Sequence, residues 1–323
     1  MRILVTGGAG FIGSHLVDYL LEETESQVDV LDDFSTGTQS NIDHLETDRV
    51  RIREGNIRNT DIVEQAVDEV EAVYHLAAAV GVERIVDNPL QSLKTNLHGT
   101  ENVLEAAARD GTPVFVASSS EVYGKNEDVP FSETDDRVLG STTIPRWGYA
   151  SSKAVDEFLA FSYHEERDLP VVVGRYFNVV GPRQTGQYGM VIPTFVDQAL
   201  SGEPLTVYRD GTQTRSFTHV RDAVELTQDL LNTPEAHGEV FNVGAPEPTS
   251  INHLAERIIE LTDSDSEITH VPIESVYGED FEEPDQREPD AEKLREAVGW
   301  APEPDLDRIL RDVIDEQREQ VSA

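Results

Sequence analysis

Two rhythms of apolar and polar positions alternate along the first half of the chain. Short β-rich runs occur at RILVT (residues 2–6), VDVLDD (28–33), VRIREGN (50–56), AVYHLAA (72–78), PVFVASSS (113–120) and PVVVGRYFNVVG (170–181). Between them, FIGSHLVDYLLEE (11–23), LKTNLHGTENVLEAAARD (93–110) and YASSKAVDEFLAFSYHEE (149–166) place apolar residues at helical spacing. This order predicts an α/β fold: a doubly wound parallel sheet with helices on both faces. Beyond about residue 179 the character changes. GPRQTGQYG is a glycine-rich loop, the elements shorten, and prolines recur at 193, 204, 234, 246 and 248. EVFNVG (239–244) has the pattern of one more strand of the main sheet, and 273–290 has no period and is expected to be loop. The predicted division is a main domain of residues 1–178, rejoined by about 216–244, and a smaller C-terminal α/β region of about 179–215 and 245–323.

The first strand runs into TGGAGFIG, which sets Gly7, Gly10 and Gly13 between a strand and a helix. Such a turn lets a pyrophosphate approach the backbone and meet the free amides of the helix N-terminus. Asp32 ends the second strand, 19 positions after Gly13. A carboxylate there accepts ribose hydroxyls and repels a 2′-phosphate, which favours NAD over NADP. Asp33 is a rival for that role, and a turn-forming aspartate with no ligand is the competing reading.

The segment RWGYASSK (146–153) holds a second pattern. On a helix, Tyr149 and Lys153 share one face. A nearby ammonium is expected to lower the phenol's pKa, and the serine cluster of ASSSEVYG, at the end of the fifth strand, supplies a hydroxyl. Together they form a device that takes a proton from a sugar hydroxyl while NAD takes hydride from the same carbon.

With these motifs in place, the chain resembles the extended short-chain dehydrogenase/reductase family, in its nucleotide-sugar epimerase, dehydratase and decarboxylase branch. The resemblance runs nearly end to end, through TGGAGFIGSHL, HLAA, TNLHGT, SSSEVYG, YASSK, RYFNVVGPR and GEPLTVYRDGTQTRSFTHVRD. It implies a Rossmann-type NAD-binding domain and a C-terminal domain that holds a nucleoside-diphosphate sugar, most plausibly a UDP-sugar. By position, Ser119, Tyr149 and Lys153 match the catalytic triad. Asn178 matches a substrate-phosphate contact, and Arg215 and Arg287 match basic residues around the diphosphate. Phe11, Ile12, Asn56, Ile57, Leu76, Ala77, Ala78 and Asn96 complete the expected cofactor set; Ser120, Arg183 and Tyr208 complete the substrate set. One departure is Asn56, where the family usually has Asp.

Members of this branch oxidise C4 of the sugar and then diverge. Glu121, before VYG, resembles the dehydratases and decarboxylases, since 4-epimerases usually carry a small neutral residue there. Ser120 stands where the dTDP-glucose dehydratases usually have Asp. Arg146, three before Tyr149, matches the Arg-x-x-Tyr pattern of UDP-glucuronate decarboxylases, in which a guanidinium could hold a sugar carboxylate. The competing reading of Arg146 is a surface arginine paired with one of many acids. YASSKAVDE lacks the Asp-Glu-Gly run of most decarboxylases. The expected activity is that of a UDP-glucuronate decarboxylase; the alternatives are a UDP-glucose 4-epimerase, then a 4,6-dehydratase. A non-catalytic dinucleotide sensor of this fold would typically have lost the tyrosine or the lysine.

Composition narrows the rest. With 63 acidic and 25 basic residues, the net charge is −38. Such a surface repels nucleic acid and anionic lipid and suits a salt-loving cytoplasm. The absence of cysteine excludes disulfides, thiolate catalysis and cysteine-based zinc sites. No His-Asp-Glu spacing suggests a metal site. His75 and His219 are expected to be structural. No apolar run reaches membrane-span length and no signal peptide is evident, so a cytoplasmic protein is expected. A homodimer is expected through the helices at 94–110 and 149–166.

Overall fold

The computed structural model describes all residues except 46–47, 81–87, 145, 187–189, 278–283, 301–305 and 323. Among the described residues seven parallel strands form the main sheet: β1 (Arg2–Thr6), β2 (Gln27–Asp32), β3 (Val50–Glu54), β4 (Ala72–His75), β5 (Val114–Ser119), β6 (Val171–Tyr176) and, after short strands that lie elsewhere, β7 (Glu239–Val243). Their spatial order is β7-β6-β5-β4-β1-β2-β3. The order reverses between β1 and β4, and ligands of open α/β sheets bind at such a switch point.

The strands form where the apolar runs predict them, and β1 and β6 are buried almost throughout, as a doubly covered parallel sheet requires. One face packs on the helices Phe11–Glu23 and Val220–Asn232, with Leu16, Leu20, Val224 and Leu230 in its core. The other packs on Thr60–Val67, Pro89–Ala108 and Arg146–Arg167, with Val63, Val103, Leu104 and Ala160. The helix Thr60–Val67 went unpredicted. Its start is fixed by Asn59, whose side chain accepts from the amides of Asp61 and Ile62.

A third core joins Phe195, Val196, Leu254, Ile258, Leu310 and Val313 from the helices Val191–Leu200, Ile251–Thr262 and Leu306–Ser322. The stretch 273–290, expected to be loop, contains the short helix Glu274–Tyr277 and the strand Gln286–Arg287; its residues 278–283 lie outside the described residues. That strand pairs in parallel with Thr214–Ser216, setting Arg287 beside Arg215. Two residues are too few for a period to show, and the pairing is wholly long-range. The helix Glu292–Val298 sends Leu294 into the first core, not the third, although the sequence reading had placed everything after about 245 in the second region. Among the described residues no helix is long and apolar enough to cross a membrane.

Candidate active site

A single cleft of about 1680 Å³ runs from the glycine turn to the C-terminal region. At one end, Gly7 has φ +74°, and a Cβ on it would meet the Ala77 amide nitrogen at 2.8 Å. A Cβ on Gly13 would lie 2.1 Å from the Gly7 carbonyl oxygen, so the first helix can approach the turn only with glycine there. Gly10 stands at the N-cap of that helix with no side-chain cap bond, which leaves the first-turn amides available to an anion.

Asp32 is buried at the end of β2 and accepts from Ala9 N (2.9 Å) and Phe34 N (2.8 Å). Burial pushes its carboxyl up, and these two bonds oppose the shift. Phe11, Ile12, Asp33, Asn56, Ile57, Leu76, Ala77 and Ala78 line the same end. Asn96 does not. It is 1% exposed, its Oδ1 accepts from Ala79 N (2.8 Å), and its Nδ2 donates to Ser152 Oγ (3.0 Å). It ties the segment after β4 to the helix Arg146–Arg167 from behind the cleft. Thr36, Thr38, Ser40 and Asn41 line the cleft and were missed. Asn41 Nδ2 and Thr38 N both donate to the Ala9 carbonyl. The run of small polar residues after β2 was the available signal.

At the centre, Ser119, Tyr149 and Lys153 come together at the cleft wall. Burial first, and then the charge of Glu121, push the Tyr149 phenol above its ordinary range, while a hydrogen bond with Ser119 pulls it back. This corrects the expectation that the nearby ammonium lowers it: the net shift is upward, because burial outweighs what favours the phenolate. Lys153 Nζ donates to the Ala117 carbonyl (2.9 Å) and to Asp156 Oδ2 (3.3 Å), so a buried carboxylate shares its charge. Asp156 is 0% exposed and went unnoticed in the sequence. Beneath it, Glu157 takes a two-pronged bond from Arg175 (3.0 and 2.7 Å) and one from Ser118 Oγ (2.5 Å). A helix carrying Lys, Asp and Glu at 153, 156 and 157 looks like a solvated face, and only the sheet beneath it shows otherwise. His75 is structural, between the hydroxyls of Thr6 (2.8 Å) and Thr100 (3.1 Å), and burial lowers its pKa to about 3. His219 pairs with Asp312 at 3.0 Å.

At the far end, Glu121 follows β5 in a tight turn. Arg146 Nη2 reaches its two oxygens at 3.1 and 3.3 Å, and Arg287 Nη1 reaches Oε1 at 2.6 Å. Burial alone would raise the Glu121 carboxyl. The charges of Arg287 and Arg146, with Arg215 behind them, outweigh it and bring the pKa down to about 2. Arg146 is only 7% exposed, which overturns its reading as a surface arginine. Arg215 donates to the carbonyls of Thr214, Asp285 and Pro284 and so anchors the strand that carries Arg287. Asn178 Nδ2 donates to the Ser216 carbonyl (2.8 Å), and Asn178, Ser120 and Tyr208 all border the cleft. Arg183 also borders it, but its guanidinium pairs with Asp18 of the first helix (2.7 Å) and its amide with Glu316.

The arrangement offers a dinucleotide turn, a serine–tyrosine–lysine set and an arginine-rich end in one cleft. Residues 4–313 match the sequence model of the GDP-mannose 4,6 dehydratase family. The UDP-N-acetyl-alpha-D-glucosaminuronate decarboxylase of Bacillus cytotoxicus is 41% identical over 319 residues, covering 98% of each chain. UDP-glucuronic acid decarboxylase 6 of Arabidopsis thaliana is 37% identical over 94% of this chain and 84% of that protein. Among solved structures, the UDP-glucuronic acid 4-epimerase of Bacillus cereus, in complex with UDP-glucuronic acid and NAD, superposes with a TM-score of 0.88 at 32% identity, covering 99% of this chain and 100% of that one. The chain therefore belongs to the NAD-dependent nucleotide-sugar epimerase, dehydratase and decarboxylase branch of the extended short-chain dehydrogenase/reductase family.

Proposed function

We propose that this protein decarboxylates a UDP-linked hexuronic acid, with UDP-glucuronate as the first substrate to test. The observation that carries the reading is the ionised Glu121 held between Arg146 and Arg287, with Arg215 close by. The described residues gather three guanidinium groups around the Glu121 carboxylate at the end of the cleft away from the glycine turn. That suits a ligand with a carboxylate in addition to its diphosphate. Two relatives named as decarboxylases of UDP-uronic acids support the same choice.

On this reading the glycine turn, Asp32 and the residues lining that end hold NAD, which when bound accepts hydride from C4 of the sugar. Tyr149, with Ser119, takes the proton of the C4 hydroxyl. Lys153, held in place by its bonds to Asp156 and the Ala117 carbonyl, supports the developing phenolate. The resulting 4-ketone makes the C6 carboxylate that of a β-keto acid: CO2 leaves, the electron pair passes to the ketone as an enolate, a proton taken at C5 gives the 4-keto pentose, and return of the hydride to C4 would give UDP-xylose. Because Glu121 is ionised, it addresses sugar hydroxyls and not the carboxylate. Arg146 is the candidate for the carboxylate, and Asn178, Arg215 and Arg287 for the diphosphate.

Proton NMR of incubations with UDP-glucuronate tests the reading: UDP-xylose or its 4-keto precursor is expected, with release of CO2. The Bacillus cereus structure favours a second reading, 4-epimerisation of the same acid, for which UDP-galacturonate would be the product. Turnover of UDP-glucose to UDP-galactose with UDP-glucuronate left intact overturns both. The same reading assigns to sugar binding about 179–215 and the parts of 245–323 outside the helix Glu292–Val298, which packs on the first core. It also assigns the protein to a salt-rich cytoplasm, and the paired helices to a homodimer contact. Val155 (42% exposed) and Phe158 (59%), one turn apart on one of those helices, support the last point.

A further inference from the structure

The cofactor end of the cleft contains a bond that the sequence reading did not anticipate. Asp33 and Asn56 follow the ends of the neighbouring strands β2 and β3. Asn56 Nδ2 donates to Asp33 Oδ2 at 2.6 Å. Asn56 Oδ1 accepts from Arg58 N (2.9 Å) and Arg58 Nε (3.3 Å), so the amide can only turn its NH2 toward Asp33. The other oxygen of Asp33 accepts from Ser35 N at 3.0 Å. The Asp33 carboxylate is thus fixed from both sides beside Asp32, whose own oxygens each hold a backbone amide. Asp32, Asp33 and Asn56 all border the cleft.

We propose that Asp33 and Asn56 form one selectivity unit for the adenosine half of the cofactor, in which Asp33 adds a second fixed negative charge against a 2′-phosphate and Asn56 holds it there. Asp33 and Asp32 are then partners and not rivals. The neighbourhood supports the assignment. Asp33 contributes to the upward shift of the Asp32 carboxyl, so the two charges sense each other. The described cations that border the cleft are Arg146, Lys153, Arg183, Arg215 and Arg287, which belong to its middle and far end. Arg58, the nearby cation, is turned onto Asn56 Oδ1. The pair also accounts for the amide at position 56. A carboxylate there would face Asp33 across the distance now spanned by a hydrogen bond, and like charges at that separation cannot both ionise freely.

The test is cofactor binding alone, independent of any sugar, on the full chain freed of nucleotide. NAD and NADP are titrated by calorimetry into wild type, Asp33→Asn, Asn56→Asp and the double variant, with circular dichroism as the folding control. Asp33→Asn should relax discrimination against NADP by about tenfold or more, the scale of removing one fixed charge near a dianion in a partly screened site. Asn56→Asp should weaken NAD by about tenfold, because two carboxylates would then face each other where an amide and a carboxylate now bond. The double variant again pairs an amide with a carboxylate. It should recover NAD affinity to within about threefold of wild type, yet stay relaxed toward NADP, because the charge has moved to position 56 beside Arg58. An NAD/NADP ratio in Asp33→Asn within about twofold of wild type overturns the selectivity role. Additive losses in the double variant overturn the coupling.

Discussion

Arg146 Nη2 and Glu121 Oε1 lie 3.1 Å apart, and the two side chains are 7% and 18% exposed. One comes from the turn after β5 and the other from the first residue of the helix that carries Tyr149 one turn later. The pair therefore fixes this helix to the end of the sheet strand bearing Ser119, and it places a guanidinium near the proposed Ser119, Tyr149 and Lys153 set. Removing one partner leaves the other charge without its nearest compensation in a largely buried site.

Arg146→Ala should cost roughly 2–5 kcal/mol in handling UDP-glucuronate, the usual penalty for stripping a buried charge of its partner. With a neutral UDP-sugar the loss should be far smaller. The measurement is kcat/KM for the two substrates side by side. Equal losses on both would remove the carboxylate role from Arg146.

The pH dependence of stability follows from Glu121. Its folded-state pKa is depressed from 4.5 to about 2. The group therefore stabilises the folded protein fully above about pH 4.5, and that stability is lost as pH falls through this window toward 2. The contribution is on the order of 3 kcal/mol. Denaturant titrations at pH 6 and pH 3 should show a larger acid loss in wild type than in Glu121→Gln. Parallel acid profiles would mean that the arginines do not hold the carboxylate down.

Tyr149→Phe should slow turnover at least about 100-fold while NAD binding is unchanged. Single-turnover absorbance at 340 nm separates the two effects. Wild-type rates in this variant would move the proton-accepting role elsewhere.

Gly13→Ala should abolish cofactor binding or folding, since its Cβ would sit 2.1 Å from the Gly7 carbonyl oxygen, against backbone that cannot yield cheaply. A variant with wild-type melting temperature and wild-type NAD affinity would show that the helix can shift to make room.

The net charge of −38 predicts stabilisation by salt. Raising KCl from about 0.1 M to about 2 M shortens the Debye length well below the ~10 Å of dilute buffer and should raise the melting temperature. A fall across that range would show that self-repulsion is not what limits stability.

The sequence by itself determined the strand–helix alternation, the glycine turn, Asp32 at the end of β2, and the placing of Tyr149 and Lys153 on one helix face. These features depend on residues close in the chain: period, turn chemistry and i, i+4 spacing are local quantities. Only the tertiary structure decided the electrostatics. Glu121 meets Arg287 across 166 positions and Arg146 across 25. Asp33 meets Asn56 across 23, Lys153 is drawn to a buried Asp156, and Asn96 is turned away from the cleft. In a chain with so many acids, no local pattern distinguishes a carboxylate bound for solvent from one bound for the interior. Burial and the partner across the fold make that distinction, because the energy of a charge depends on the medium and the countercharge around it, and both are supplied by segments remote in sequence.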